Sequence, residues 1–147
     1  MRLGITEKCP IMSLIELKHS KYAGSIHLIC ADPFITPYWT PSQLVVYKNH
    51  RKSYVRMAID ATGSIVKKIK RTKEGLLSSH IFLYEAVISS DKFQVSITQM
   101  ISEKQDTFTI FSWLSMWLID GVKAPQETVC DYSMALLGGI TRAFCDE

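Results

Sequence analysis

Residues 93–121 read FQVSITQMISEKQDTFTIFSWLSMWLIDG, and the hydrophobic period changes within them. Up to Ser102 the apolar residues alternate: Phe93, Val95, Ile97 and Gln99 share one face, and Gln94, Ser96, Thr98 and Met100 the other. That is the two-residue period of a strand. From Asp106, a good helix N-cap, Phe108, Phe111, Leu114, Trp117 and Leu118 fall at helical spacing, and Met116 and Ile119 broaden that side. Gly121 marks its end. A strand handing over to an apolar helix that must be covered implies a sheet with helices packed on it.

Downstream, Pro125 closes a loop, Glu127–Cys130 is a short strand, and Ser133 caps a last helix reaching about Phe144. Gly138 and Gly139 weaken that helix by roughly 1 kcal/mol each, so it is expected bent or split. Upstream, His80–Ser89 (HIFLYEAVIS) is almost continuously apolar, as a central strand buried on both faces would be. Ser90-Asp91-Lys92 then turns it into a hairpin with the strand at 93–102. Tyr54–Ala61 (YVRMAIDA) alternates, with Tyr54, Arg56, Ala58 and Asp60 on one face and Val55, Met57 and Ile59 on the other. Ser64–Lys70 reads as a short basic strand or twisted extension ending in a polar loop.

The resulting order is three strands, a crossover helix, a fourth strand and a final helix, which makes a mixed α/β sheet over residues 53–147. If the fourth strand lies parallel to its neighbour, the helix at 107–120 is the crossover. Residues 1–52 are a lead-in. Pro33 and Pro37 limit Ile26–Tyr38 to short strands, and Thr40-Pro41 starts a short helix over about 41–50. Residues 1–25 show no sustained pattern and are expected to be irregular.

The 147 residues are about one domain's worth. With 47% apolar and 21% charged residues, the chain can bury a core and is not of disordered composition. The net charge of +3 is too small to identify a nucleic-acid partner. Cys9, Cys30, Cys130 and Cys145 are scattered, as are His19, His27, His50 and His80, so a zinc site has no support and reduced thiols are expected. The N-terminus is interrupted by Glu7, Lys8 and Pro10 and is not a signal peptide. Phe108–Ile119 is about half the ~20 residues that span a bilayer. A soluble intracellular protein without a membrane partner is expected.

The chemistry concentrates at two strand ends. Asp60 lies near the end of the first strand, and Asp131 directly follows the last. Ligands of open α/β sheets collect at the carboxyl ends of strands. Two carboxylates there would suit Mg²⁺ or Mn²⁺, with water and phosphate oxygens completing the shell. Glu103, where hairpin gives way to helix, is a further acidic candidate for that edge. Plainer roles also fit: Asp60 before Thr-Gly as a strand-ending turn, Asp131 as a cap, Glu103 as a solvated residue near a helix start. Lys67, Lys68, Lys70, Arg71 and Lys73 put five positive charges into seven residues. They suit a phosphate backbone, or else a lysine-guarded strand edge. Trp113 and Trp117, four apart, are read as helical core packing.

The segments Ala58-Ile59-Asp60-Ala61-Thr62-Gly63 and Val129-Cys130-Asp131-Tyr132-Ser133-Met134-Ala135-Leu136 resemble the first two acidic motifs of eukaryotic DDE transposases, nearest to the Mutator-like group. Asp32-Pro33-Phe34 and Tyr38-Trp39-Thr40-Pro41-Ser42-Gln43-Leu44 resemble the segment before the core in transposase-derived proteins of animals. The resemblance implies a ribonuclease H-like core that performs metal-dependent DNA strand cleavage and transfer, in the nucleus, through three acidic residues. Asp60 and Asp131 match the first two. The third belongs on a later helix, and Asp146 lies roughly 20 Å along the last helix from its start, so the core is incomplete and inactive alone. DNA, a second copy or a missing C-terminal half are the partners implied. The alternative is a domesticated, non-enzymatic DNA- or protein-binding module.

Overall fold

Burial along residues 55–60 alternates residue by residue, with Val55, Met57 and Ile59 inside and Arg56, Ala58 and Asp60 outside. The expected faces of this strand are the observed ones. The computed structural model describes residues 9–70 and 76–145. In chain order they form α1 (Pro10–Lys18), β1 (Cys30–Ala31), β2 (Phe34–Tyr38), α2 (Pro41–Arg51), β3 (Arg56–Gly63), β4 (Phe82–Ser89), β5 (Gln94–Ser102), α3 (Thr107–Ile119), β6 (Glu127–Val129) and α4 (Met134–Cys145). The strands make one mixed sheet in the order β1-β2-β5-β4-β3-β6. The expected α/β architecture is present.

All neighbouring pairs are antiparallel except β3 with β6, which is parallel. The hairpin β4–β5 and the crossover through α3 are thus where the period change put them. β1 and β2 extend the sheet beyond β5, so it is wider than the four strands of the sequence reading.

One face of the sheet carries α2, α3 and α4. Tyr47 of α2, Ile110, Trp113, Leu114 and Trp117 of α3, and Leu136 and Ile140 of α4 share a single buried cluster with Met57, Ile59, Tyr84, Ala86, Ile88, Ile97 and Met100. Trp113 and Trp117 are core residues, at 1% and 0% exposure. Trp113 Nε1 donates to Thr98 Oγ1 at 3.0 Å, which satisfies its one polar atom. α2 starts on the capping box Thr40/Gln43, each side chain accepting the other residue's backbone N–H. Asp106 caps α3 by accepting from Thr109 N at 2.8 Å.

Several expectations change in three dimensions. Residues 10–18, within the stretch read as irregular, form α1; Leu14 and Leu17 border a cavity with Thr36, Tyr38 and Ile101, so α1 lies over the opposite face at the β2–β5 end. Nothing between Ser64 and Lys70 joins the sheet, and Lys70 makes an isolated bridge to Leu77. β4 is not buried on both faces: Tyr84, Ala86 and Ile88 are buried, while Leu83, Glu85 and Val87 are half-buried.

In β5 the pairing steps from Ala86↔Thr98 to Val87↔Ser96, leaving Ile97 as a bulge residue. Alternation therefore breaks there: Ile97 and Met100 both enter the core cluster, while Gln99, grouped with Ile97 by simple alternation, lies on the other face. Phe108 is 72% exposed, so the buried stripe of α3 runs through Ile110, Trp113, Leu114 and Trp117 instead.

α4 is one uninterrupted helix through Gly138 and Gly139. The glycines are the contact surface of α4 on α3. A Cβ on Gly139 would meet Ile110 Cγ2 at 2.6 Å, and one on Gly138 would meet Thr107 Oγ1 at 3.0 Å. The lost helix propensity is offset by backbone proximity that no larger residue permits.

Candidate functional site

The last paired position of β3 with β6 is Ala58↔Val129. Asp60 follows two residues later within β3, and Asp131 two residues later beyond the end of β6. Neighbouring strands run about 4.8 Å apart; Asp60 is still within the sheet, paired with Glu85 before β3 ends at Gly63, whereas Asp131 lies past the end of β6. Ile59 and Cys130 pack toward the helix-covered core, and the residues after them, Asp60 and Asp131, are both exposed.

Each aspartate also shapes its own backbone. Asp60 Oδ1 accepts from Ala61 N at 2.8 Å. Asp131 Oδ1 accepts from Ser133 N at 3.0 Å, and Ser133 Oγ accepts from Leu136 N at 3.3 Å, which together start α4. A carboxylate has about four lone-pair sites, so one such bond leaves capacity for another ligand.

Glu85 was not singled out from the sequence, yet it is the direct antiparallel partner of Asp60. Its own partner on the other side is Gln99, which pairs in turn with Tyr38. A polar rank, Tyr38–Gln99–Glu85–Asp60, therefore crosses four strands on the face opposite α2–α4. Like charges directly opposite across a ladder are destabilising, and among the described residues no ion pair reaches Asp60, Glu85 or Asp131. Burial, and next the Glu85 charge, push the Tyr38 phenol above its usual value. Gln99 is 8% exposed; its Nε2 donates to Ser96 Oγ, and its Oε1 has no partner. No sequence signal marked Glu85, because the β3–β4 register that sets it beside Asp60 joins segments distant along the chain.

Glu103 stands elsewhere. It follows Ser102, which pairs with Phe82, whereas Glu85, beside Asp60, pairs with Gln99. Four residues of strand and two strand spacings separate it from Asp60, on the order of 15 Å. Its carboxylate is buried and accepts from Phe34 N at 2.5 Å and Ser79 N at 2.8 Å, so it clasps β2 to the segment before β4.

Lys67, Lys68 and Lys70 are exposed on the segment leaving β3 at Gly63, the same end at which Asp60 sits. Ile69 N donates to Ser78 Oγ at 3.0 Å and Ser78 N to Ile69 O at 2.8 Å, which anchors the foot of this loop. Arg71 and Lys73 lie outside the described residues, as do Asp146 and Glu147.

As a binder of Mg²⁺ or Mn²⁺ the site is partial. Asp60 and Asp131 are hard oxygen donors of the right kind. Among the described residues, however, no group of three or more His, Cys, Asp or Glu converges as a metal site. No helix among them is long and apolar enough to cross a membrane, and all four cysteines are free.

The structure is a mixed α/β chain with exposed aspartates at Asp60 and Asp131 and exposed lysines at Lys67, Lys68 and Lys70. The chain is similar to the 120.7 kDa protein in NOF-FB transposable element of Drosophila melanogaster, with 38% identity over 144 residues. That match covers 97% of this chain and 13% of the fly protein, so the chain spans about an eighth of its relative's length. No family model and no solved structure matches the chain.

Proposed function

We propose that this chain is a transposase-derived, ribonuclease H-like core portion whose ancestral role is metal-dependent DNA strand cleavage and transfer. The parallel pairing of β3 with β6 supports the reading, because its register Ala58↔Val129 lies two residues before Asp60 on one segment and two before Asp131 on the other. Support comes also from the element order, with three antiparallel strands, a crossover helix and a fourth strand parallel to the first. The similarity to a segment of a transposable-element protein supports a transposon-related origin. The DDE and Mutator-like type, and nuclear localisation, are expectations from the motif resemblance.

In this reading Asp60 and Asp131 would hold Mg²⁺ or Mn²⁺, and the metal would supply charge stabilisation for a phosphate oxygen. The chain's own contribution is to orient two carboxylates and to offer Lys67, Lys68 and Lys70, with Arg71 and Lys73 of the same run, to the DNA backbone. No turnover is assigned to the chain alone. The second reading, a non-enzymatic DNA- or protein-binding module, is favoured by the local bonds to Ala61 N and Ser133 N, which explain both aspartates structurally.

Mn²⁺ titration of the ¹⁵N-labelled chain separates the two. Binding at the aspartates broadens amides around residues 60 and 131 selectively, and Asp60→Asn with Asp131→Asn abolishes the effect. Broadening that ignores both substitutions removes the nuclease-type reading and leaves the binding module. Labelled duplex incubated with Mn²⁺ is expected to stay intact; cleavage abolished by Asp60→Asn would contradict the inactivity of the isolated chain.

A further inference from the structure

At the other end of β3 and β6, away from Asp60 and Asp131, a cavity of about 270 Å³ opens between the C-terminal end of α2 and the loop after α3. Its walls carry four cations, Lys48, Arg51, Lys52 and Lys123, and none of its lining residues is acidic. Two elements distant in sequence converge here. Arg51 Nε donates to Ala124 O at 2.8 Å, and Tyr47 Oη donates to Lys123 O at 2.5 Å, so α2 is tied to the loop. Gly121, at φ +93°, makes the turn, and a Cβ there would lie 3.9 Å from Lys48 Nζ.

Among the described residues no carboxylate pairs with any of the four cations. Asp120, adjacent in sequence to the lining residue Gly121, spends Oδ2 on Trp39 Nε1 at 2.8 Å. Basic residues at a helix C-terminus have an ordinary explanation in the helix dipole. Here the ends of α2 and α3 together amount to about one negative charge. Adding Asp120 makes about two, against four positive charges, so a net excess near +2 remains around a concave site. Arg51 is held in place by its bond to Ala124, and the three lysines are exposed.

We propose that this cavity binds a phosphate group, as a phosphodiester of a nucleic-acid backbone or as a free phosphate. A tetrahedral oxyanion matches a guanidinium flanked by ammonium groups. The site is independent of the aspartates and of the run at 67–73, so it stands or falls separately from the reading above.

Amide shifts of the full-length ¹⁵N-labelled chain, followed during titration with inorganic phosphate against chloride at constant ionic strength, test it. Shifts are expected to cluster at residues 48–52 and 121–123. The double variant Lys48→Gln, Lys52→Gln is expected to weaken binding about ten-fold, Lys48→Arg, Lys52→Arg to retain it, and Lys67→Gln, Lys68→Gln to leave it unchanged. A short DNA duplex is the second probe: duplex moving the same amides identifies a backbone phosphate, and phosphate alone moving them identifies a small ligand. The absence of localised shifts with both probes, or a Gln double variant that binds like the parent, overturns the proposal.

Discussion

Glu103 and Asp60 are both acidic residues near strand ends, and their environments give them different work. Asp60 is exposed, with one oxygen on its neighbour's N–H. Glu103 is 8% exposed and accepts two backbone donors from segments remote in sequence. Removing its carboxylate strands those donors, and an unsatisfied buried N–H costs about 1–3 kcal/mol. Glu103→Ala is therefore expected to lower urea-unfolding stability by that amount, with Glu103→Gln recovering part through its remaining carbonyl oxygen. An alanine variant within 0.5 kcal/mol of the parent, on the order of a neutral surface change, would remove the clasp from the account. Glu85 shows the reverse case. Its sequence context is that of a core strand, and only its partner across the ladder gives it a place beside Asp60.

Among the elements, α4 packs on α3 through a close glycine contact. Gly139 brings the α4 backbone onto Ile110 and the Phe111 amide, and the buried face of α3 turns with it toward Ile110, Trp113, Leu114 and Trp117. Gly139→Ala adds helix propensity of about 1 kcal/mol but forces a methyl to 2.6 Å from a branched side chain. Over-packing of this kind costs about 1–3 kcal/mol, so the net expectation is a loss of stability in urea unfolding and a shift of Ile110 methyl resonances. A stabilised variant would mean that the helices separate easily. The joint matters for the site, because Ser133, bonded to Asp131, accepts from Leu136 N at the start of α4 and so ties Asp131 to the seating of that helix.

On the scale of the molecule, β6 is an edge strand of three residues with β3 on one side only. Around it Val129 is 46% exposed, Tyr132 99%, Met134 79% and Leu137 40%. Apolar groups gathered at an open sheet edge favour contact with further polypeptide. With the isolated chain as its own partner, sedimentation equilibrium is expected to show concentration-dependent association, reduced by Met134→Lys. A monomer at every concentration would mean that this edge is adequately solvated.

The alternating residues 54–60, the capped helices at Thr40 and Asp106 and the strand-to-helix change at 102–107 were all legible along the chain. Each is a local matter of backbone periodicity and side-chain chemistry, and burial of one face suffices to reveal it. Contacts between distant segments decided the rest: the bulge at Ile97 that put Gln99 with Glu85, the glycine joint of α4, the clasp of Glu103 and the cationic cavity between α2 and the Gly121 loop. Register and helix seating are set by which surfaces fit together, and a linear pattern carries the periodicity of each surface but not its partner.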